Sequence, residues 1–211
     1  IKAAPISEVV KDSGLDYDYA RALQYSIYFY DANMCGTGVE ENNRLSWRGN
    51  CHTNDEVPGG FHDAGDHVEF GMPENYAAAT LGWGYYEFRD AYKDTGTQEH
   101  MEDILHWFND FYMKATFLDE NGKVIAYCYQ VAEGDNDHNY WNPPEMQDME
   151  HFDDFARPAY FATEDVPASD CAAGAAASLA VNYLNFKDTD PEYAEKSLDT
   201  ALALYDFAVR T

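Results

Sequence analysis

The chain has 211 residues and is 45% hydrophobic, enough for a substantial core in one or two domains. Asp and Glu number 39 against 13 Lys and Arg, so the formal net charge is −26. This charge argues against nucleic acid or an anionic membrane as a partner, because both are bound through basic patches. There is also no apolar run of about 18 residues that would predict a membrane span.

Apolar residues at helical spacing predict five helices, separated by turns and by two long irregular regions. The predicted helices span residues 17–30, 75–92, 99–116, 169–186 and 191–209, after an irregular lead-in at 1–16. The irregular regions run from 31 to 74 and from 117 to 167, and the second contains the candidate strand VIAYCYQV. Ser169 and Asp190 are predicted N-caps, with Pro191 in the first helical turn. Helix pairs joined by turns predict an antiparallel all-α assembly, with residues 17–211 in a single domain.

The segment GGFHDAGDHVEFGMP, at residues 59–73, is the most unusual feature of the first irregular region. Its glycines and its lack of apolar periodicity predict a loop that holds Asp63 and Asp66 in one tight turn. Two aspartates in a turn have three interpretations: a polar turn, half of a calcium loop, or a carboxylate pair that acts on a water molecule. Long loops inside compact domains are usually functional.

Two cysteines and two histidines in the same region form a candidate metal site. Cys35, Cys51, His52 and His62 together offer the two sulfurs and two nitrogens that tetrahedral structural zinc prefers. A disulfide between Cys35 and Cys51 is the alternative, and the spacing alone does not decide between the two.

Six segments, in this order along the chain, carry a family resemblance. They are SWRGNCHTND (46–55), GGFHDAGDHVEFGMP (59–73), LGWGYYEFRDAY (81–92), QVAEGDNDHNYWNPPE (130–145), RPAYFAT (157–163) and PASD (167–170). Together they resemble the amino-terminal part of glycoside hydrolase family 9, whose members are mostly cellulases, and the chain looks most like clostridial cellulosomal endoglucanases. The resemblance implies an (α/α)6 barrel, of which this chain supplies roughly the first half.

The resemblance also implies a reaction, hydrolysis of β-1,4-glucan with inversion of configuration. Asp66 is implied as the general base that deprotonates the attacking water, and Asp63 as a residue that orients this water. An inverting site separates base from acid by about 6.5–9.5 Å, so the acid comes from elsewhere in the chain. In the family it is a glutamate near the carboxyl end of the catalytic domain, which we expect in the missing carboxyl-terminal half.

Substrate and metal ligands are carried over from the family residue by residue. His138, Tyr140 and Trp141 match or adjoin residues of the substrate cleft, whereas Arg157 fits either the cleft or a helix-end ion pair. For Cys35, Cys51, His52 and His62, similar residues bind zinc in the related clostridial enzymes, which favours structural Zn2+. Ca2+ is possible at Ser169 and Asp170, although Gly174 replaces the glutamate found there in the family.

The expected partners are a β-1,4-glucan, the carboxyl-terminal half of the same domain and a cellulosome scaffold bound through a module outside this chain. The first residues, IKAAPISEVV, lack a signal peptide, as does a secreted chain after processing. The resemblance to secreted cellulases implies an extracellular protein. The alternatives are a non-catalytic glucan-binding protein that keeps the cleft and a metal-stabilised structural protein.

Overall fold

The structure is a computed structural model that describes residues 16–150 and 156–211, without the side chains of residues 148–150. Almost all of the predicted lead-in at 1–16 lies outside these ranges. The helices are α1 (Tyr19–Asn33), α2 (Val39–Asn42), α3 (Gly71–Glu87), α4 (Arg89–Asp94), α5 (Gln98–Lys114), α6 (Gly134–Asp137), α7 (Pro144–Glu150), α8 (Ser169–Phe186) and α9 (Pro191–Arg210). The strands are β1 (Glu69–Phe70), β2 (Thr116–Leu118), β3 (Val124–Val131) and β4 (Ala159–Ala162). In the described ranges, no helix combines the length and apolar character that a bilayer crossing requires.

All five predicted helices are present, with one difference in the second. It starts earlier, at Gly71, and breaks at Phe88, whose φ of −120° and ψ of 30° do not continue an α-helix. The side chain of Arg89 anchors this break, since its Nη2 donates to the backbone oxygen of Asn185 at 2.7 Å. The bend between α3 and α4 is therefore fixed by a contact with the end of α8, which the local sequence does not reveal.

The two predicted N-caps have different outcomes. Asp190 is confirmed, because its side chain accepts a hydrogen bond of 3.2 Å from the backbone N–H of Tyr193 and Pro191 follows in the first turn. The prediction for Ser169 was wrong. Ala168 occupies the N-cap position of α8, and the hydroxyl of Ser169 lies 3.5 Å from that of Thr211 instead.

The core of the helical part is formed where α8 packs between α3 and α9. Alanines on α8 are buried against both neighbours and allow a close approach of the helix axes. Gly174 is the tightest point, because a Cβ atom there would lie 2.9 Å from the Cβ of Asn75 on α3. A larger side chain at 174 would push α3 and α8 apart.

A four-stranded antiparallel sheet adds to the all-α architecture and confirms the candidate strand as β3. Tyr127 pairs with both Thr116 and Ala162, so β2 and β4 lie on opposite edges of β3. At the other end of β3, Val131 pairs with both Glu69 and Ala159. The sheet thus brings the residues before β1 and those before β4 together, and these are the segments that carry the candidate site.

One acidic side chain lies in the core without a complete set of partners. Glu74, in the first turn of α3, is 7% exposed, and its Oε1 has no hydrogen-bond partner among the described residues. Burial raises the pKa of Glu74 well above its usual range. A neutral carboxyl group is favoured here because an ion would lose its hydration.

We expect the substitution Glu74→Gln to increase the free energy of unfolding at pH 7. The unfolded chain ionises Glu74 above its ordinary pKa of 4.5, whereas the folded protein keeps the proton, so the wild type loses stability as the pH rises past that value. Each unit of pKa difference corresponds to about 1.4 kcal/mol. Urea unfolding between pH 4 and pH 7 measures the effect, and the exposed Glu87→Gln on the same helix is the control. An equal gain at both pH values would contradict the explanation.

Candidate active site

The turn at residues 63–68, here called the DAGD turn, is held by backbone contacts at both ends. The N–H of His62 donates to the backbone oxygen of Asn33 at 2.8 Å, and the N–H of Asp63 donates to that of Val68 at 2.8 Å. After the turn the chain enters β1 and then α3 at Gly71, where a Cβ atom would lie 2.2 Å from the oxygen of Tyr129. Only glycine fits this junction, so the turn has a fixed position relative to the sheet.

The turn presents its two aspartates differently. Asp63 is exposed, whereas the side chain of Asp66 is only 13% exposed and its Oδ2 lies 2.9 Å from Nδ1 of His138. The Oδ1 of Asp66 is buried and has no hydrogen-bond partner among the described residues. Partial desolvation and, secondarily, the charge of Asp66 raise the pKa of Asp63. The two carboxylates thus interact electrostatically, as two acids with coupled titrations do.

His138 and Trp141 lie beside the DAGD turn. The two rings meet edge to face, with 5.4 Å between centroids and an interplanar angle of 75°. Trp141 is 69% exposed, and one edge of its indole lies 3.4 Å from the position that a Cβ of Gly65 would occupy. Because a carboxylate only accepts, Nδ1 of His138 is the donor to Asp66.

Two predicted sugar contacts, Tyr140 and Arg157, have no surface to offer a sugar. Tyr140 is 2% exposed, and its ring packs against that of His67 with 5.6 Å between centroids. The side chain of Arg157 is 3% exposed. We therefore correct both assignments. Tyr140 packs beneath the DAGD turn, and Arg157 forms ion pairs, which was the alternative to a place in the cleft.

Arg157 is the centre of a buried charge cluster. Its guanidinium contacts the carboxylates of Asp55 (3.1 Å), Asp137 (3.0 Å) and Glu69 (3.2 Å), which are 5%, 1% and 1% exposed, and it also donates to the backbone oxygen of His67 at 2.6 Å. Burial raises the pKa of Glu69 well above its usual range, although Arg157 opposes this shift. The cluster joins β1, the end of α6 and two loops below the turn.

The predicted metal ligands come together in the fold. Cys35, Cys51, His52 and His62 are all buried, and their ligand atoms all lie within 4.8 Å of one another. Nδ1 of His52 is 3.2 Å from Nε2 of His62 and 3.4 Å from Sγ of Cys35. A tetrahedral site with bonds of about 2.0–2.3 Å has edges of about 3.3–3.8 Å, so these spacings fit a four-coordinate ion. All four cysteines of the chain are free thiols, which does not agree with the disulfide alternative.

The protonation states of the two imidazoles also suit a metal. Burial lowers the pKa of His52 to about 2 and that of His62 well below its usual range, so both imidazoles are neutral. A hydrogen bond with Cys35 lowers the pKa of Cys51, whereas burial raises that of Cys35. His52 has a φ of 50°, which non-glycine residues rarely adopt and which is common at functional sites.

Gln147, on α7, is the site residue that sequence reasoning missed. Its Oε1 lies 2.9 Å from Nε2 of His52 and 2.7 Å from Nδ1 of His67, and its Nε2 donates to Oδ2 of Asp137 at 3.0 Å. No motif or periodicity marks a glutamine in PEMQDME, so only the fold reveals this role. Gln147 thus holds the ring of His67 as well as that of His52.

The possible calcium site at Ser169 and Asp170 gains no support. One carboxylate oxygen of Asp170 accepts from the backbone N–H of Cys171 at 2.9 Å, and the close packing at Gly174 leaves no room for the glutamate that this position has in the family. Within the described ranges, the groups of three or more His, Cys, Asp and Glu residues close enough for a metal both include Cys35 and lie below the DAGD turn.

Comparison with known proteins decides the family. Residues 19–211 match the model of glycosyl hydrolase family 9. This chain belongs to that family. It is 40% identical over 199 residues to Endoglucanase 4 of Bacillus sp. (strain KSM-522), and the match covers 92% of this chain and 29% of that protein. Endoglucanase A of Bacillus pumilus is 39% identical, with 92% and 28% covered.

Solved structures of family 9 members show the same fold. The catalytic domain of Clostridium thermocellum CelT superposes with a TM-score of 0.87 at 50% identity, over 92% of this chain and 45% of that one. Cel9M of C. cellulolyticum in complex with cellobiose gives 0.84 at 42% identity, over 94% and 45%. The family 9 chain described here therefore forms part of an (α/α)6 barrel. It spans less than half the length of these structures and under a third of the two curated relatives.

We expect the substitution Arg157→Met to lower the free energy of unfolding by about 3–5 kcal/mol, because it leaves three carboxylates buried without their cation. Urea unfolding of the full-length protein measures this effect. Arg21→Ala is the control, since its exposed pair with Asp18 at 3.6 Å should contribute less than about 1 kcal/mol. An Arg157→Met variant that unfolds like the wild type but has a raised KM would restore the sugar-contact assignment.

Proposed function

We propose that this chain is the water-activating part of an inverting endo-β-1,4-glucanase. The observation that carries the proposal is the arrangement of Asp66, one oxygen of which is held by His138 while the other is free of protein partners among the described residues. A carboxylate fixed in this way can accept a proton from a water molecule along a defined direction. Membership of glycosyl hydrolase family 9 supplies the substrate class.

The proposed division of labour follows from the environments of the two aspartates. Asp66 acts as the general base. Asp63, exposed on the same turn, accepts a second hydrogen bond from the water and fixes its orientation. An inverting reaction also needs a general acid across the sugar, about 6.5–9.5 Å from the base. We assign that role to a glutamate in the part of the family 9 catalytic domain that this chain does not cover.

The glucan is proposed to bind along the side of the turn formed by His138 and Trp141. The exposed indole offers a flat apolar face for the C–H groups of a pyranose ring, and Nε2 of His138 can form a hydrogen bond with a sugar hydroxyl. Structures of Cel9M with cellobiose and of C. thermocellum CelQ with cellotriose are similar to this chain, with TM-scores of 0.84 and 0.72. These relatives support a cello-oligosaccharide as the ligand.

Zn2+ is proposed to occupy the site formed by Cys35, Cys51, His52 and His62. Two sulfurs, two neutral imidazoles and spacings near the edges of a tetrahedron support this choice. With four protein ligands the ion has no open position for substrate, so its role is structural. Because His62 directly precedes Asp63, the ion fixes the start of the DAGD turn.

Substituting Asp66 by Asn in the full-length protein should lower kcat by about 10²–10⁴-fold, because the amide cannot take the proton of the water. The assay is release of reducing sugar from carboxymethylcellulose or barley β-glucan. Asp188→Asn, an exposed aspartate between α8 and α9, is the matched control and should keep wild-type activity. Retained activity in Asp66→Asn would refute the base assignment, and a β-anomer as the first product would refute inversion.

We expect the purified protein to contain zinc and to lose thermal stability when a chelator removes it. Cys51→Ala should abolish stoichiometric zinc binding, whereas Cys171→Ala, which removes a thiol of α8 outside the site, should retain it. Elemental analysis and the midpoint of thermal unfolding with and without added Zn2+ measure these effects. Metal content equal to the wild type in Cys51→Ala would place the ion elsewhere.

A non-catalytic glucan-binding protein is the second candidate function, and the surface formed by His138 and Trp141 would serve it equally well. Cello-oligosaccharide binding without hydrolysis by the full-length protein would favour it. Secretion and attachment to a cellulosome scaffold stay predictions from the resemblance to clostridial enzymes.

A further inference from the structure

We propose that Gln147 is a positioning residue that couples the Cys35/Cys51/His52/His62 metal site to the DAGD turn. This inference rests on the proposed function, because it takes the metal site and the base Asp66 from there. Gln147 itself touches neither metal nor substrate. Gln147 is 1% exposed and lies between the two sites, where its amide contacts His52, His67 and Asp137.

The orientation of the amide is fixed by chemistry. Asp137 accepts hydrogen bonds and cannot donate them when ionised, so the amide nitrogen of Gln147 must face it. The amide oxygen therefore faces the two histidines. Because this oxygen only accepts, Nε2 of His52 and Nδ1 of His67 must both carry a proton. One glutamine side chain thus selects the tautomers of two buried imidazoles.

The tautomer of His52 determines whether the metal site is complete. With the proton on Nε2, the lone pair of Nδ1 points to the space shared with Cys35 and His62, at 3.4 and 3.2 Å. A ligating histidine usually donates its other N–H to an oxygen acceptor, which fixes the ring for the metal. Gln147 provides that acceptor, and the other tautomer of His52 could not bind a metal through Nδ1.

The contacts of Gln147 with His67 and Asp137, here called its second arm, reach the residue next to the proposed base. The ring of His67 is held by Gln147, and its backbone N–H donates to Oδ1 of Asp137 at 2.8 Å. Asp137 is in turn oriented by the amide nitrogen of Gln147. His67 directly follows Asp66 in the chain. Loss of the Gln147 side chain would therefore loosen the ring of His67 and its backbone contact with Asp137, which together set the position of the base.

The first test compares Gln147→Met with the wild type in the full-length protein. Methionine keeps length and burial but offers no acceptor for either histidine. We expect zinc affinity, measured by chelator competition, to fall by about 10- to 100-fold, and kcat to fall over a similar range. KM should change little, because a residue this deeply buried does not contact the glucan. Gln24→Met, which replaces another buried glutamine on α1, is the matched control and should change neither zinc affinity nor kcat.

The second test reads the tautomers directly. In protein labelled with ¹⁵N at histidine, long-range ¹H–¹⁵N correlation spectra should show the proton on Nε2 of His52 and on Nδ1 of His67. Gln147→Met should change the tautomer of at least one of them. Gln147→Glu keeps acceptor oxygens for both rings but loses the donor to Asp137, so it should preserve both tautomers and hold zinc within a few-fold of wild-type affinity while kcat still falls. This variant also provides a readout if Gln147→Met does not fold.

The inference fails if folded Gln147→Met keeps wild-type tautomers, zinc affinity and kcat, or if Gln147→Glu loses zinc as strongly as a ligand substitution does. Failure of the proposed function is distinguishable, because a wild type that does not hydrolyse glucan would still report zinc affinity and tautomers. If the wild type binds no zinc, the tautomer of His67 and the position of the turn still test the second arm of Gln147.

Discussion

The ion cluster around Arg157 is the interaction on which the candidate site depends. Asp63 and Asp66 lie on a six-residue turn at the protein surface, and a short turn cannot hold two carboxylates in register by itself. The guanidinium fixes the turn from below, because it binds the backbone oxygen of His67 and carboxylates from three separate segments. Its partner Asp55 lies 102 residues away in the sequence, so this contact exists only in the folded chain.

Titratable side chains have opposite environments on the surface and below the DAGD turn. The formal net charge of −26 belongs mostly to solvated carboxylates, which water stabilises at little cost. Below the turn, burial raises the pKa of Glu69 and lowers that of His52 and His62, so the neutral forms of these three side chains are favoured. Neutral imidazoles next to paired sulfurs are what a metal ion needs. The same burial that shapes the core therefore prepares the metal site.

The arrangement divides chemical and mechanical tasks between two layers. His138, Trp141 and Asp63 are exposed to solvent, and Asp66 lies next to them with 13% of its side chain exposed. Beneath them, Tyr140, Gln147 and the four metal ligands are almost completely buried and make no surface for a sugar. A turn that must present a water molecule in one direction gains from such a support, because small displacements of a catalytic group can cost about 10²-fold in rate.

The sequence by itself determined the five long helices, the strand at 124–131, the exposed DAGD turn and the four candidate metal ligands. These rest on local information, namely apolar periodicity, the glycine-rich turn and residue types that suit a metal. The tertiary structure alone decided that Phe88 breaks a helix, that Tyr140 and Arg157 are buried, and that Gln147 joins the two sites. Each of these depends on contacts with residues about ten to one hundred positions away, and such contacts leave no periodic trace in the chain. Burial, which sets whether an arginine meets a sugar or a carboxylate, is fixed only when the segments pack together.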